Sequence, residues 1–316
     1  MRFVVPDDFP TVVKGSAAEA PLRRLGEVEI YTTRVGSPEE LVERCRGADG
    51  LINIRAANKF DAAFFSRAEG LRILSVWGTG IEHVNLDAAR AAGVTVTNTP
   101  GVAAVSVAEH ALALMFAAAR RIPTIDAALK SGDWPRGEMT QLHGKTHGII
   151  GLGAIGRQTA RITRGIGMKL IAWTFHPDTA FAEEVGLEWV ALEELYARAD
   201  VISLHVRTSP ETIGMIGADA FTRMKPGAIL VNTARGAIVD EEALIAVLRE
   251  GRLGAAGLDV FETEPLPKDH PLRKLPNAVL TPHNAGTTPE VLEAGLLLSV
   301  ENLAKFFEGT PQNVVA

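Results

Sequence analysis

The residues whose types and spacing most narrowly imply chemistry are three glycines in the run Gly151-Leu152-Gly153-Ala154-Ile155-Gly156. Glycines in this pattern suit a phosphate cradle, and each has its own reason. Gly151 permits a tight turn, Gly153 lets backbone amides approach a pyrophosphate, and Gly156 lets the following helix lie close on a sheet. The helix N-terminus then faces the phosphate charge. The pattern alone is weak, and its setting makes it specific. The apolar run Gly148-Ile149-Ile150 enters the turn, and a helical stretch followed by a second apolar run leaves it. That order of strand, glycine turn, helix and strand predicts a dinucleotide-binding unit. Three later segments carry further reactive groups: Val231-Asn232-Thr233-Ala234-Arg235-Gly236, Gly257-Leu258-Asp259-Val260-Phe261-Glu262-Thr263-Glu264-Pro265, and Leu280-Thr281-Pro282-His283-Asn284-Ala285-Gly286. Each lies at a predicted strand end, where open α/β sheets place their ligands. Taken singly, Arg235 also fits a loop ion pair, Glu264 a turn before Pro265, His283 a capping residue and Asp259 a strand-end turn.

The elements that must hold these residues follow from hydrophobic patterning. Residues 3–5, 28–31, 51–54, 73–76 and 94–97 are short apolar runs that predict the strands of a first, smaller α/β unit. Between the second and third runs, Ser37-Pro38-Glu39-Glu40 supplies an N-cap, a proline at the first helical position and a capping-box glutamate, and Gly47 ends the helix. Ser106-Val107-Ala108-Glu109 reads as another capping box, opening a helix that stays apolar to Ala119. Such a helix must be buried, between two domains or against a second subunit, and His110 on it reads as a packed core histidine. After the glycine unit, residues 201–204, 228–231, 256–258 and 279–281 repeat the buried-strand pattern, with Asp240 capping a helix that runs to Gly251. Alternation of this kind predicts a parallel, doubly wound sheet. Thr287-Thr288-Pro289-Glu290 opens a last helix to Phe307, whose leucine-rich face is expected to return to the first unit.

Bulk properties narrow the function classes. A chain of 316 residues predicts two domains. Forty-seven per cent hydrophobic and 22% charged residues describe an ordinary soluble globular protein, and a net charge of -6 argues against nucleic acid as a partner. No secretory signal and no membrane-spanning run is apparent. The single cysteine, Cys45, excludes an intrachain disulfide and fits a reducing compartment, so a cytoplasmic location is expected. It lies in the helical stretch Leu41-Val42-Glu43-Arg44-Cys45-Arg46, which reads as a half-buried thiol rather than a nucleophile. His143, His147, His176, His205 and His270 lack metal-ligand spacing, and no metal is expected.

Together the three strand-end segments resemble the D-isomer-specific 2-hydroxyacid dehydrogenase family. The resemblance continues in Thr79-Gly80-Ile81-Glu82-His83, in Ser106-Val107-Ala108-Glu109-His110 and in the glycine turn, and covers most of the chain from about Ile52 onward. It implies an α/β fold of two Rossmann-like domains with doubly wound parallel sheets. A cofactor domain, 100–284, would be inserted into a flavodoxin-like substrate domain made of 1–99 and 285–316, with hinges near 98–101 and 284–288 and an active site in the cleft. The implied activity is NAD- or NADP-dependent, reversible reduction of a small 2-oxo acid, such as glyoxylate or hydroxypyruvate, to a D-2-hydroxy acid. By the same resemblance Arg235 binds the substrate carboxylate and 2-oxo group, His283 is the acid/base, and Glu264 pairs with His283. Hydride transfer to a 2-oxo acid leaves an alkoxide, which an imidazolium can protonate at neutral pH while a carboxylate favours its charged form. The family pattern assigns the cofactor to Gly151, Gly153, Ala154, Ile155, Gly156, Thr174, His205, Arg207, Thr233, Ala234 and Asp259, with Asp259 on the nicotinamide amide. It assigns the substrate to backbone amides at Thr79 and Gly80 and to Arg55 at the substrate mouth, where Arg55 reads equally as a solvated strand-end residue.

One position departs from the NAD-selective pattern. The acidic residue expected near the end of the second strand is absent from Ala172-Trp173-Thr174-Phe175-His176, where Thr174 aligns best. No arginine or lysine follows immediately to neutralise a 2′-phosphate; Arg157 and Arg207 are candidate cations near the adenosine, though each reads more often as a solvated helix or loop charge, so NAD versus NADP stays open. The apolar helix from Ser106 is the expected homodimer contact. With the given sequence ending after the last predicted helix, the added regulatory domain of many phosphoglycerate dehydrogenases is not expected. A rival reading is a nucleotide-sensing, corepressor-like binding protein of the same fold, which would not need the trio of Arg235, Glu264 and His283.

Overall fold

The computed structural model describes residues 1–316 and divides into two units, Met1–Ala103 with Thr287–Ala316, and Ala104–Gly286. In the first unit five strands, β1 (Arg2–Val5), β2 (Glu27–Ile30), β3 (Gly50–Asn53), β4 (Ile73–Val76) and β5 (Thr95–Thr97), form one parallel sheet in the order β2-β1-β3-β4-β5. The helices are α1 (Glu19–Leu25), α2 (Pro38–Cys45), α3 (Ala62–Phe65), α4 (Leu86–Ala91) and, from the C-terminal segment, α12 (Pro289–Phe307). Both sheet faces are covered, and the period-two alternation decides which side chain serves which face. Phe3, Val5, Ile52 and Ile73 pack with Leu22, Leu296, Val300 and Leu303 from α1 and α12. Val4, Leu51 and Leu74 point the other way, into a core with Leu41, Phe64 and Ala89 from α2, α3 and α4. The leucine-rich face of α12 is therefore covered within this unit, as its sequence required.

Local signals act where the residue types allow. Ser37 Oγ accepts from the Glu40 amide at 3.2 Å, and the Glu40 carboxylate accepts from the Gly36 amide at 2.7 Å, so α2 begins on a reciprocal cap. Cys45, expected to be half-buried, is only 2% exposed, because it lies on the face of α2 that meets Val4 and Leu51.

The second unit holds β6 (Thr146–Ile150), β7 (Lys169–Trp173), β8 (Leu187–Trp189), β9 (Val201–Leu204), β10 (Ile229–Asn232), β11 (Ala255–Leu258) and β12 (Ala278–Leu280), all parallel, in the order β12-β11-β10-β9-β6-β7-β8. Its helices are α5 (Ala104–Arg120), α6 (Ile122–Lys130), α7 (Ala154–Gly165), α8 (Thr179–Val185), α9 (Leu192–Arg198), α10 (Ala218–Arg223) and α11 (Glu241–Arg249). From β6 the chain steps outward through β7 and β8, then returns to β9 on the other side of β6. The crevice between β6 and β9 is thus the switch point at which such sheets bind ligands. The edge strand β8 gives little sequence signal, since only Leu187 of its three residues is buried.

Helix α5 corrects one boundary. It begins at Ala104, two residues before Ser106, so Ser106 is not its N-cap. The Ser106 hydroxyl instead donates to the Ala285 carbonyl at 2.8 Å and ties the start of α5 to the loop after β12. Ala111, Leu114, Met115, Ala118 and Ala119 of α5 pack with Ile149, Val201 and Val231 of the sheet and Ala160 of α7, which accounts for most of its apolar surface. Val105 remains exposed, and Leu112 and Phe116 are half-buried. No helix is long and apolar enough to cross a membrane.

Candidate active site

The glycine turn joins β6 to α7 at the switch point. Gly151 has φ +95°, and a Cβ there would lie 2.8 Å from the His205 carbonyl, so a left-handed backbone and a close strand neighbour both demand glycine. Gly153 is the N-cap of α7, without a side-chain cap bond, and a Cβ on it would meet nothing within 4 Å. The first turn of α7 contains no acidic residue. A Cβ on Gly156 would lie 2.1 Å from the Gly151 carbonyl oxygen. Its bareness therefore lets the helix close on the turn itself, a tighter demand than packing on the sheet. An uncapped helix N-terminus with open space at Gly153 fits an anionic pyrophosphate.

Side chains at the neighbouring strand ends add to that fit. Thr233 Oγ1, just past β10, and His205 Nδ1, just past β9, are buried polar atoms with no partner in the chain. The proton on His205 is fixed by a buried row of hydrogen bonds. Thr163 Oγ1 donates to the Thr159 carbonyl (2.8 Å), so at 3.0 Å it accepts from His147 Nδ1. His147 Nε2 then accepts from Ser203 Oγ (2.8 Å), which in turn accepts from His205 Nε2 (2.9 Å). His205 Nδ1 is left as a bare acceptor. Burial pushes His147 down to about 3 and His205 down to about 4, which keeps both rings neutral. Thr174 follows β7, half-buried beside Trp173 and Phe175, whose rings meet edge-on at 4.8 Å. Arg207 is exposed on the loop after β9, its carbonyl accepting from Thr212 Oγ1 at 2.7 Å.

Arg235, Asp259, Glu264 and His283 follow β10, β11 and β12, at the carboxyl edge of one sheet. Asn232, 1% exposed, shapes the first loop: its Oδ1 accepts from the Ala234 amide and its Nδ2 donates to the Arg235 carbonyl, both at 2.9 Å. Gly236 then brings that loop against the second, since a Cβ there would lie 2.0 Å from the Phe261 carbonyl carbon. Glu264 spans the gap to the third. One carboxylate oxygen accepts from the Phe261 amide at 3.0 Å, and the other bonds His283 Nδ1 at 2.7 Å. That bond occupies Nδ1 and leaves His283 Nε2 without a hydrogen-bond partner within the chain.

The electrostatics follow from this pairing. The Glu264 hydrogen bond raises His283 above its ordinary value, against partial burial and the Arg235 charge. Burial works to raise Glu264, but the bonds from His283 and the Phe261 amide outweigh it, and the carboxyl sits below its usual range. The pair therefore favours imidazolium beside carboxylate. A cavity of about 540 Å³ opens beside them, walled by Phe261, Leu266 and Leu280.

His283 has φ +53°, an uncommon conformation for a side chain of this size. Asp259 holds it there. At 1% exposure, its carboxylate accepts from Thr281 Oγ1 (2.6 Å), the Asn284 amide (3.0 Å) and the Ala285 amide (2.9 Å), gripping the loop on both sides of His283. His110 Nε2 completes the support, 2.9 Å from Thr281 Oγ1. Asn232, Thr281 and His110 were not singled out for the site by sequence reading. Each nonetheless lies in a run that carried the family resemblance. Arg55, Thr79 and Gly80 belong to the other unit. The Arg55 guanidinium donates to the Pro10 carbonyl, and no acceptor within the chain takes the Thr79 or Gly80 amide, in a loop pinned by Asn98 Nδ2 on the Thr79 carbonyl (3.0 Å).

Comparison with known proteins converges on one family. Residues 112–285 match the model of the NAD-binding domain of D-isomer-specific 2-hydroxyacid dehydrogenases. The chain is 41% identical over 298 residues to a D-3-phosphoglycerate dehydrogenase of Methanocaldococcus jannaschii; the match takes in 93% of this chain but only 56% of that one. It is 39% identical over 305 residues to a glyoxylate reductase of Thermococcus litoralis, covering 93% of this chain and 92% of the other. A solved structure, the TT0316 protein of Thermus thermophilus, superposes over the full length of both chains with a TM-score of 0.90 at 39% identity.

Proposed function

The chain belongs to the D-isomer-specific 2-hydroxyacid dehydrogenase family, and from that premise we propose that it reversibly reduces a small 2-oxo acid to the D-2-hydroxy acid with NADH or NADPH. The observation that carries this reading is the 2.7 Å bond between His283 Nδ1 and Glu264, with Arg235 on the adjoining loop. Gly151, Gly153 and Gly156 with the first amides of α7 would hold the pyrophosphate of a nicotinamide cofactor, which when bound would supply the hydride, and Thr233 and His205 offer polar atoms at the flanking strand ends. Arg235 presents a planar fork to the substrate carboxylate and 2-oxo oxygen. His283 holds a proton at Nε2 and delivers it to that oxygen as negative charge develops, while Glu264 fixes the ring and steadies the imidazolium. In the oxidative direction neutral His283 takes the proton back. Asp259, which accepts three hydrogen bonds from the 281–285 loop, acts as a positioning residue for His283.

A short 2-oxo acid is proposed as the substrate, a reading supported by the matched glyoxylate reductase, which is named for a two-carbon acid. We also propose a homodimer in which the stripe of Val105, Leu112 and Phe116 left on α5 meets its copy; a monomeric mass by light scattering at micromolar concentration would contradict it. The test of function is oxidation of NADH and NADPH against a panel of 2-oxo acids, with His283→Ala as control. Turnover of at least one short 2-oxo acid is expected, with kcat reduced about a hundredfold or more in the variant. No turnover of any acid with either cofactor overturns the reading.

A further inference from the structure

We infer that the ion pair between Arg157 and Asp178 sets the choice between NADH and NADPH, a role for two residues that rests on the cofactor reading above. The general rule puts the adenosine ribose beside the end of the second strand of the βαβ unit, where an acidic side chain bonds the 2′-hydroxyl and repels a 2′-phosphate. Here β7 ends at Trp173, and the next four residues, Thr174, Phe175, His176 and Pro177, contain no carboxylate. The first acid is Asp178, and it is held in place twice. One oxygen accepts from the Phe181 amide at 3.1 Å and caps α8; the other meets Arg157 Nη2 at 2.7 Å.

Arg157 comes from the opposite side of the same position. It lies in the first turn of α7, and its Nε donates to the Leu152 carbonyl, inside the glycine turn, at 3.2 Å. Its guanidinium also rests 4.7 Å from the centre of the Phe181 ring. The pair thus bridges the glycine turn and the segment after β7, the two elements that border a bound ribose. Both side chains stay partly open to solvent, at 33% and 40% exposure, so a ligand group can reach them.

The pair's two charges act in opposite senses on a 2′-phosphate. Arg157 attracts it and Asp178 repels it, while a plain 2′-hydroxyl needs only the acceptor that Asp178 provides. The pair as a whole is neutral, so the chain is expected to bind both cofactors, with the balance set by Asp178 masking Arg157. Asp178→Asn removes the repelling charge and keeps the cap, since Asn is as good an N-cap as Asp. Arg157→Gln removes the attracting charge.

Calorimetric Kd values for NADH and NADPH, measured on the wild-type chain and both variants, decide the matter without any assay of turnover. Asp178→Asn is expected to move the NADPH to NADH affinity ratio about tenfold toward NADPH, roughly the effect of 1.4 kcal/mol. Arg157→Gln is expected to weaken NADPH about tenfold and leave NADH within about twofold. Ratios that stay near the wild-type value in both variants overturn the inference, as does equal weakening of both cofactors by Arg157→Gln, which makes the pair a brace for the turn and nothing more. A wild-type chain that binds neither nucleotide overturns the cofactor reading itself, a distinct result.

Discussion

Asp259→Asn preserves the shape of a side chain on which three loop groups converge, and removes its charge. In the folded chain Thr281 Oγ1 and the Asn284 and Ala285 amides all donate to this carboxylate, which is 1% exposed. An asparagine offers one acceptor oxygen and turns a donor NH2 toward at least one of those N–H groups. A buried amide that loses a charged acceptor costs about 1.5–3 kcal/mol, and a second bond weakens as its acceptor becomes neutral. Burying an amide is easier than burying a carboxylate, which returns some of that loss. The net expectation is about 2–4 kcal/mol. For a unit of this size each kcal/mol lowers Tm by about 2–4 °C, so the transition of the second unit falls by roughly 5–15 °C. Differential scanning calorimetry measures it, with kcat followed in parallel. Because Asp259 also holds His283 at φ +53°, kcat is expected to fall with little change in cofactor affinity. A Tm within about 1 °C of wild type, together with a loss confined to cofactor binding, would refute the positioning role and return Asp259 to the nicotinamide.

Glu264→Gln removes the charge on the acceptor whose hydrogen bond raises His283, so the imidazolium is lost at lower pH. The falling limb of reductive kcat/KM is expected to move toward lower pH, and a pH–rate profile with an unmoved limb contradicts the pairing. The same pair links stability to pH. The His283 contribution is present in full below its ordinary 6.5 and fades as pH rises through its raised value. The Glu264 contribution is present above 4.5 and fades as pH falls through its lowered one, and Glu264→Gln flattens both changes in a Tm–pH series. Gly236→Ala places a Cβ 2.0 Å from the Phe261 carbonyl carbon and must push the two loop backbones apart; kcat/KM is expected to fall at least about tenfold, with an overpacking cost of about 1–3 kcal/mol in unfolding experiments. Cys45, 2% exposed with its thiol pushed up to about 12 by burial, is expected to ignore a disulfide reagent in the native state and react fully in denaturant; rapid native labelling contradicts the packing of α2.

Much of the fold was legible because its signals are local. Ser37 and Glu40 cap α2 through side chains three residues apart, and each buried strand declares itself by a run of apolar residues. The glycine turn was legible in part for the same reason, since the left-handed φ of Gly151 and the pass of Gly156 against the Gly151 carbonyl lie within the turn, whereas the approach of Gly151 to His205 does not. Where a capping residue had a distant competitor, the local reading failed: Ser106 gives its hydroxyl to Ala285, far along the chain, and α5 starts earlier. Strand β8 escaped notice because an edge strand with one buried residue carries no hydrophobic run.

For the site, the amino-acid order alone determined which groups are chemically able to act: Arg235, Glu264 and His283 stand at strand ends, and a parallel doubly wound sheet must deliver all its strand ends to one edge. What only the folded chain decided is their mutual geometry. The Glu264–His283 bond, the close pass of Gly236 against Phe261 and the grip of Asp259 on the His283 loop each join residues from different strand ends. No pattern of nearby residues encodes such contacts, because they exist only once β10, β11 and β12 are in register and the loops beyond them share the same small volume.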